Sequence, residues 1–268
     1  MKTVVITGST RGIGRGLAEN FLASGCRVVI SARAQSKVEE VVTELQGIYG
    51  EEAVAGIACD ITSEEALARL WAYASNVGQV DIWINNAGMS IVRKSLWEQS
   101  AQDLRQIVDT NLTGLLLACK VALAGMLKQG HGQIWNMEGF GSTGQTNAGM
   151  AAYGATKRAL NYLTASLQKE VKGTDVQVNT LSPGIVVTEL LVGDYDFSSP
   201  EWQKTRKILN ILGDTVETVT PFLVRGMLNA KKSGSRVAWL TGRKAFWRFL
   251  TAGFNKRDLF AEYDSHLA

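Results

Sequence analysis

The chain opens with a β-branched run, KTVVIT, that passes directly into GSTRGIG, and no other feature restricts its folding more. A strand, a glycine-rich turn and a helix in that order form the phosphate-binding corner of a βαβ unit. Bare backbone is needed there because it must approach a pyrophosphate, whose charge is met by the N–H groups and positive dipole at the helix start. Gly8, Gly12 and Gly14 supply the bare positions, and Thr7, Ser9, Arg11 and Ile13 complete the turn. A Thr followed by three Gly at these offsets arises roughly 0.02 times by chance in a chain of this composition, so an ordinary glycine-rich loop is the weaker reading.

Apolar, β-rich runs recur near residues 3–7, 27–31, 53–58, 80–85, 132–137, 175–181 and 236–240, with helical periodicity between them. Strand and helix alternating in this way predict an α/β fold with a doubly wound, parallel, seven-stranded sheet, that is, a Rossmann fold. Length and unbroken alternation predict a single domain over 1–268, and no low-complexity linker or repeat divides it. Residues 184–232 form a long excursion between the sixth and seventh strands, and an excursion of that length predicts a substrate-covering element. Its apolar residues suit either a large hydrophobic substrate or plain helix packing.

Tyr153 and Lys157 lie four residues apart in AAYGATKRAL, on one face of a predicted helix. A free phenol titrates near pH ~10, so it trades protons at neutral pH only if a neighbouring ammonium stabilises its charged form. Lys157 is placed to do so. The spacing alone arises roughly 0.3 times by chance, and its weight comes from the other motifs.

Together these motifs, TGxxxGxG in the first turn, Asn86-Ala87-Gly88 after the fourth strand, Asn111 in TNLTG and Tyr153 with Lys157, resemble those of the short-chain dehydrogenases and reductases. The resemblance implies a nicotinamide cofactor. The second strand, CRVVISAR, ends without the carboxylate that would hold a ribose 2′-hydroxyl, while Arg33 and Arg11 can pair with a 2′-phosphate, so NADPH is expected. The alternative is two solvated surface arginines. By the same resemblance Asp60 and Ile61 lie at the adenine, and Asn86, Ala87, Gly88, Pro183, Gly184, Val186 and Thr188 complete the cofactor pocket. The resemblance also implies that Asn111 helps hold a water that leads protons to Lys157.

Family members carry a serine about 13 positions before the tyrosine to bind the carbonyl oxygen, but position 140 here is Phe. Ser142 is the expected replacement, with Glu138 alternatively facing the substrate. The runs NMEGFGSTG, SLQKE, LSPGIVVTELL, ILGDTVETVTPFLV and VAWLTGR further resemble the chlorophyll b reductases within the family. That resemblance implies reduction of a 7-formyl group to hydroxymethyl on a chlorophyll-type pigment. A reductase of other ketones, acyl carriers or sterols, and a non-catalytic nucleotide-binding scaffold, stand as alternatives.

A net charge of +3 argues against a nucleic-acid partner. Between residues 236 and 260, however, Arg236, Arg243, Lys244, Arg248, Lys256 and Arg257 stand against Asp258, a local charge of +5, interleaved with Trp239, Phe246, Trp247, Phe249, Phe254 and Phe260. Residues 236–268 are thus expected to be a last strand followed by an aromatic, basic segment that either contacts a bilayer peripherally or packs its rings on the core or a partner subunit. Cys26, Cys59 and Cys119 are scattered, which suits a reducing cytoplasm. With the first strand at about residue 3 no leader is expected, and no apolar run is expected to approach membrane-spanning length. His131 and His266 lack ligand partners at metal spacing, so no metal is expected. The stretches 102–128 and 151–172 are candidates for pairing across a two-fold axis in a homodimer or homotetramer.

Overall fold

The computed structural model describes residues 1–193, 195 and 200–261. His266 and parts of the expected excursion and C-terminal segment lie outside the described residues. In chain order the elements are β1 (Thr3–Thr7), α1 (Gly12–Ala23), β2 (Arg27–Ser31), α2 (Gln35–Tyr49), β3 (Val54–Gly56), α3 (Glu64–Val77), β4 (Val80–Asn85), α4 (Ala101–Val108), α5 (Gly114–Gln129), β5 (Gly132–Met137), α6 (Ala151–Glu170) and β6 (Val176–Ser182). There follow β7 (Ile185–Val186), α7 (Glu189–Val192), α8 (Pro200–Leu212), β8 (Gly213–Asp214), α9 (Val216–Leu228), β9 (Arg236–Ala238) and α10 (Gly242–Thr251).

Seven strands form one sheet in the order β3-β2-β1-β4-β5-β6-β9, every pair parallel. They fall where their apolar runs predict, with β3 and β9 shorter than expected. Parallel strands need crossovers, and the crossover helices bury both faces of the sheet. Val4, Ile6, Val28 and Ile30 pack with Leu17 and Phe21 of α1 and Val219, Leu223 and Met227 of α9. On the other face Val5, Val29, Trp83 and Ile134 pack with Leu67 and Leu70 of α3 and Leu115 and Ala122 of α5. Neighbouring residues of one strand thus serve opposite cores, which explains unbroken apolar runs in place of alternation. Burying one such Val, Leu or Phe stabilises by about 1.5–3 kcal/mol.

β1 lies between β2 and β4, so the chain leaves it in one direction and later returns on its other side. The crevice at the carboxyl ends of β1 and β4 is therefore the topological switch point, where open α/β sheets bind ligands.

One expectation needs correction, and the structure divides two others. Ala101–Gln129 is one continuous helical run, long and apolar enough to cross a membrane by length and composition, contrary to the reading that nothing approaches that length. In this fold Ile107, Leu115, Ala118, Cys119, Ala122 and Met126 are buried along it, because the run packs on the sheet and α3. Within the run, Asp109–Thr113 form a π-helical turn between α4 and α5. The excursion 184–232 also divides: α9 is a core helix against α1, and only the part up to β8 stands off the sheet. There Val192, Trp202 and Leu209 close a small core with Phe260, so helix packing accounts for these apolar residues. Finally, the C-terminal rings split, with Phe260 buried and Trp239 packed on the core, while Phe246, Trp247, Phe249 and Phe254 are exposed.

Candidate active site

At the switch point the turn is pinned by neutral hydrogen bonds. Thr7 Oγ1 donates to the Ile84 carbonyl and accepts from the N–H groups of Asn86 and Ala87, both at 3.1 Å. Asn86 Nδ2 donates to the carbonyls of Thr7 and Gly8, each at 2.9 Å. Ser9 Oγ donates to Ile6 O at 2.7 Å and accepts from Ser31 N at 2.9 Å, tying the turn to the end of β2. Thr7, Ser9 and Asn86 thus hold the corner in shape.

The glycines leave the space. Gly8 and Gly12 adopt φ of +66° and +54°, a region that disfavours side chains. A Cβ on Gly14 would stand 2.1 Å from the Gly8 carbonyl oxygen, so the turn closes only with glycine there. Arg11, the residue before α1, places no side-chain cap on the helix, leaving first-turn N–H groups for an anion. Ile13 packs on the core, and Arg33 and Asp60 are exposed beyond the carboxyl ends of β2 and β3. Arg11 forms an exposed ion pair with Glu189 of α7. Asp60 caps its own turn through the Thr62 N–H and hydroxyl, and Ile61 is buried against Gly114. Gly184, with φ +75°, follows β6 and Pro183, Val186 is buried in β7, and Thr188 lies beside Gly12.

The second cluster gathers at the carboxyl end of β5. Lys157 is buried, its Nζ donates to Met137 O at 3.2 Å and lies 5.8 Å from the Tyr153 ring centroid. Burial pushes its pKa down to about 8, because an ammonium loses hydration there. A Cβ on Gly139 would fall 2.4 Å from the Tyr153 hydroxyl. Gly139 therefore keeps open the space in front of the phenol, a role that no local sequence signal marks because it depends on where Tyr153 of α6 falls. A Cβ on Gly88 would likewise stand 3.3 Å from Asn111 Oδ1 and 3.8 Å from Lys157 Nζ. Asn111 sits in the π turn, and its amide exchanges hydrogen bonds of 2.8 Å in both directions with the Met89 backbone. Single π turns frequently mark functional sites.

Ser142 is buried, and its hydroxyl accepts from Gly139 N–H at 3.0 Å, keeping its own proton free of any acceptor among the described residues. Glu138 turns to an internal partner. Both of its oxygens are taken by Arg236 of β9, with the shortest contact at 2.7 Å, because a buried carboxylate needs a cation and β9 supplies one. Behind the cluster, Asn85 bridges Trp83 and Asn136, and Asn136 donates to Thr164, a buried ladder that fixes the ends of β4 and β5 against α6. Beside Tyr153 a cleft is lined by Ile91, Arg93, Lys94, Leu96 and Met150, and the Arg93 guanidinium lies 4.3 Å from the Tyr195 ring centroid. Among the described residues no three His, Cys, Asp or Glu side chains group as metal ligands.

A family model described as short chain dehydrogenase matches residues 2–196, and the chain belongs to that family of oxidoreductases acting on small molecules. It is 40% identical over 258 residues to the chloroplastic chlorophyll(ide) b reductase NOL of Arabidopsis thaliana, covering 92% of this chain and 72% of that one. Among solved structures it is similar to 7α-hydroxysteroid dehydrogenase complexed with NADH and 7-oxo glycochenodeoxycholic acid, with 27% identity and a TM-score of 0.77 over 90% of this chain and 93% of that one. The closed form of serine dehydrogenase complexed with NADP+ gives 25% identity and a TM-score of 0.75 over 89% and 94%. Folds of this kind hold a nicotinamide cofactor in both structures.

Proposed function

We propose that the protein is an NADPH-dependent reductase that converts the 7-formyl group of chlorophyll b or chlorophyllide b to hydroxymethyl. The observation that carries this reading is the Tyr153 hydroxyl standing against the bare Cα of Gly139 with buried Lys157 behind it. Similarity to a chlorophyll(ide) b reductase over nearly the whole chain supports the substrate.

The cofactor fits the turn, where a Gly14 side chain would collide with backbone and the first N–H groups of α1 lack a side-chain cap. Backbone from Gly8 to Gly14 would hold its pyrophosphate, Asp60 and Ile61 its adenine, and Asn86 to Gly88 with Tyr153 and Lys157 its nicotinamide ribose. Pro183, Gly184, Val186 and Thr188 would border the nicotinamide. Arg33 and Arg11 would take the 2′-phosphate. Arg11 gives up only an exposed ion pair to do so, a pair worth roughly 0–1 kcal/mol.

When bound, reduced nicotinamide supplies a hydride to the carbonyl carbon. Tyr153 gives its proton to the carbonyl oxygen as negative charge develops there, so the aldehyde becomes an alcohol. Lys157 stabilises the phenolate that remains, and Asn111, across Gly88 from Lys157, steadies the water that returns the proton. Ser142 keeps its proton and donates a hydrogen bond through it to the same oxygen.

We further infer a homodimer or homotetramer, built on the exposed Leu116 and Leu127 of α5 and Tyr162 of α6. Three buried free thiols suit a reducing compartment, and the cytoplasmic reading rests on them.

Mixing protein, NADPH and chlorophyllide b tests the proposal. Pigment absorbance should shift as one NADPH is oxidised per formyl group. Turnover of small ketones or acyl-carrier substrates without pigment turnover would move the substrate elsewhere in the family. Cofactor binding without turnover of any carbonyl would leave a scaffold.

A further inference from the structure

The proposed reaction leaves the C-terminal helix unused. In α10, Phe246, Trp247, Phe249 and Leu250 are exposed at 65, 57, 51 and 59%, and Phe254, a turn beyond, at 92%. Residues 246, 249 and 250 share one face of the helix, and the Phe246 and Trp247 rings touch at 6.2 Å between centroids. Five large apolar side chains together on a surface mark an interaction site.

The basic residues of the segment do two different things. Arg248 and Arg257 turn inward and pair with buried Asp214 at 2.8 Å, and the Trp239 indole N–H donates to the same carboxylate. These contacts fix α10 to β8, and β8 pairs with β7 directly after Gly184. Arg243 and Lys256 instead face solvent, and no carboxylate among the described residues pairs with either. Asp258, the single acid between residues 236 and 260, is held by Arg206.

An apolar face rimmed by unpaired cations needs an apolar, anionic partner. A second copy of this chain is disfavoured, because a two-fold contact would bring Arg243 and Lys256 against their own like charges. An anionic bilayer satisfies both requirements, since its interface accepts aromatic rings and its headgroups attract Lys and Arg. We propose that α10 with Phe254 is a peripheral anchor on anionic lipid, holding the β7–β8 side of the substrate excursion at the bilayer surface. The anchor is independent of which carbonyl is reduced.

Co-sedimentation of the full chain with vesicles provides the test. Vesicles with about one-third phosphatidylserine should bind at least tenfold more protein than pure phosphatidylcholine vesicles, with salt weakening the difference. Replacing Phe246, Trp247 and Phe254 together by Ser should abolish binding, and R243E with K256E should remove the lipid-charge preference. Both variants should keep the wild-type circular dichroism, melting temperature and turnover of a soluble carbonyl. Absence of vesicle binding by the wild-type chain, or equal binding by the folded triple variant, overturns the proposal. Sedimentation velocity in which the triple variant dissociates an oligomer, with vesicle binding unchanged, also overturns it in favour of a second copy.

Discussion

The carboxyl ends of β1 and β4 and the carboxyl ends of β5 and β6 are held by different physics. At the first pair, Thr7, Ser9 and Asn86 make neutral hydrogen bonds to backbone, and the glycines remove every side chain that would spoil the fit. At the second pair, and in the excursion beside it, two buried carboxylates gather cations: Glu138 takes Arg236, and Asp214 takes Arg248 and Arg257. A neutral, backbone-directed frame has one geometry and resists changes of pH and salt. A buried carboxylate gains its stability only while its cations are present, so that side of the molecule is the one that can be undone by removing a single charge.

Tyr153 stands where the two sides meet, and losing its hydroxyl gives the largest effect. Y153F should lower kcat about 10²- to 10⁴-fold, with the dissociation constant for NADPH, followed by fluorescence titration, changed by less than about twofold. A variant that keeps its turnover would refute the proposed chemistry. D214A should cost about 3–5 kcal/mol by leaving two partly desolvated arginines unpaired, lowering the melting temperature by roughly 6–20 °C at about 2–4 °C per kcal/mol for a chain of this size. Cofactor affinity should hardly move, and a parallel loss of it would erase the distinction between the two regions.

G14A should do the reverse. Its Cβ meets the Gly8 carbonyl, so overpacking should cost about 1–3 kcal/mol, and cofactor affinity should fall about tenfold or more in the same titration. R33S should reduce the preference for NADPH over NADH about tenfold, with NADH kinetics unchanged. Equal losses with both cofactors would mean that Arg33 does not touch a 2′-phosphate. The last effect comes from pH. The Lys157 pKa is lowered to about 8 by burial, so the ammonium is present below that pH and lost above it. The kcat/KM for reduction should fall roughly tenfold between pH 7 and 9, and K157R should move the decline to higher pH, since a guanidinium keeps its charge.

Much of the frame is legible in the order of residues. Seven apolar runs mark seven strands, because a strand buried on both faces writes itself as an unbroken β-branched stretch, and their spacing leaves room for a helix at each crossover. Gly8, Gly12 and Gly14 are readable as a turn because the need for bare backbone is local. Glu138 is misleading for the opposite reason: an acid at a strand end beside a tyrosine looks available to substrate until Arg236, from a strand 98 residues away, occupies it. Gly139 is silent in the sequence because its significance lies in the position of Tyr153 on another element. The apolar length of Ala101–Gln129 is hidden by polar residues spread through α4 and the π turn.

What the amino-acid order determined alone is the parallel doubly wound sheet, the positions of its seven strands, the glycine turn after β1 and the shared helix face of Tyr153 and Lys157, since each follows from periodicity or spacing along the chain. What only tertiary structure decided is which groups meet across elements. Arg236 reaches Glu138, Asp214 collects the C-terminal cations, Gly139 clears the phenol, and α10 keeps its rings in solvent. Backbone periodicity acts over a few residues, whereas desolvation and charge pairing act over a few ångströms, and only the folded chain turns one distance into the other.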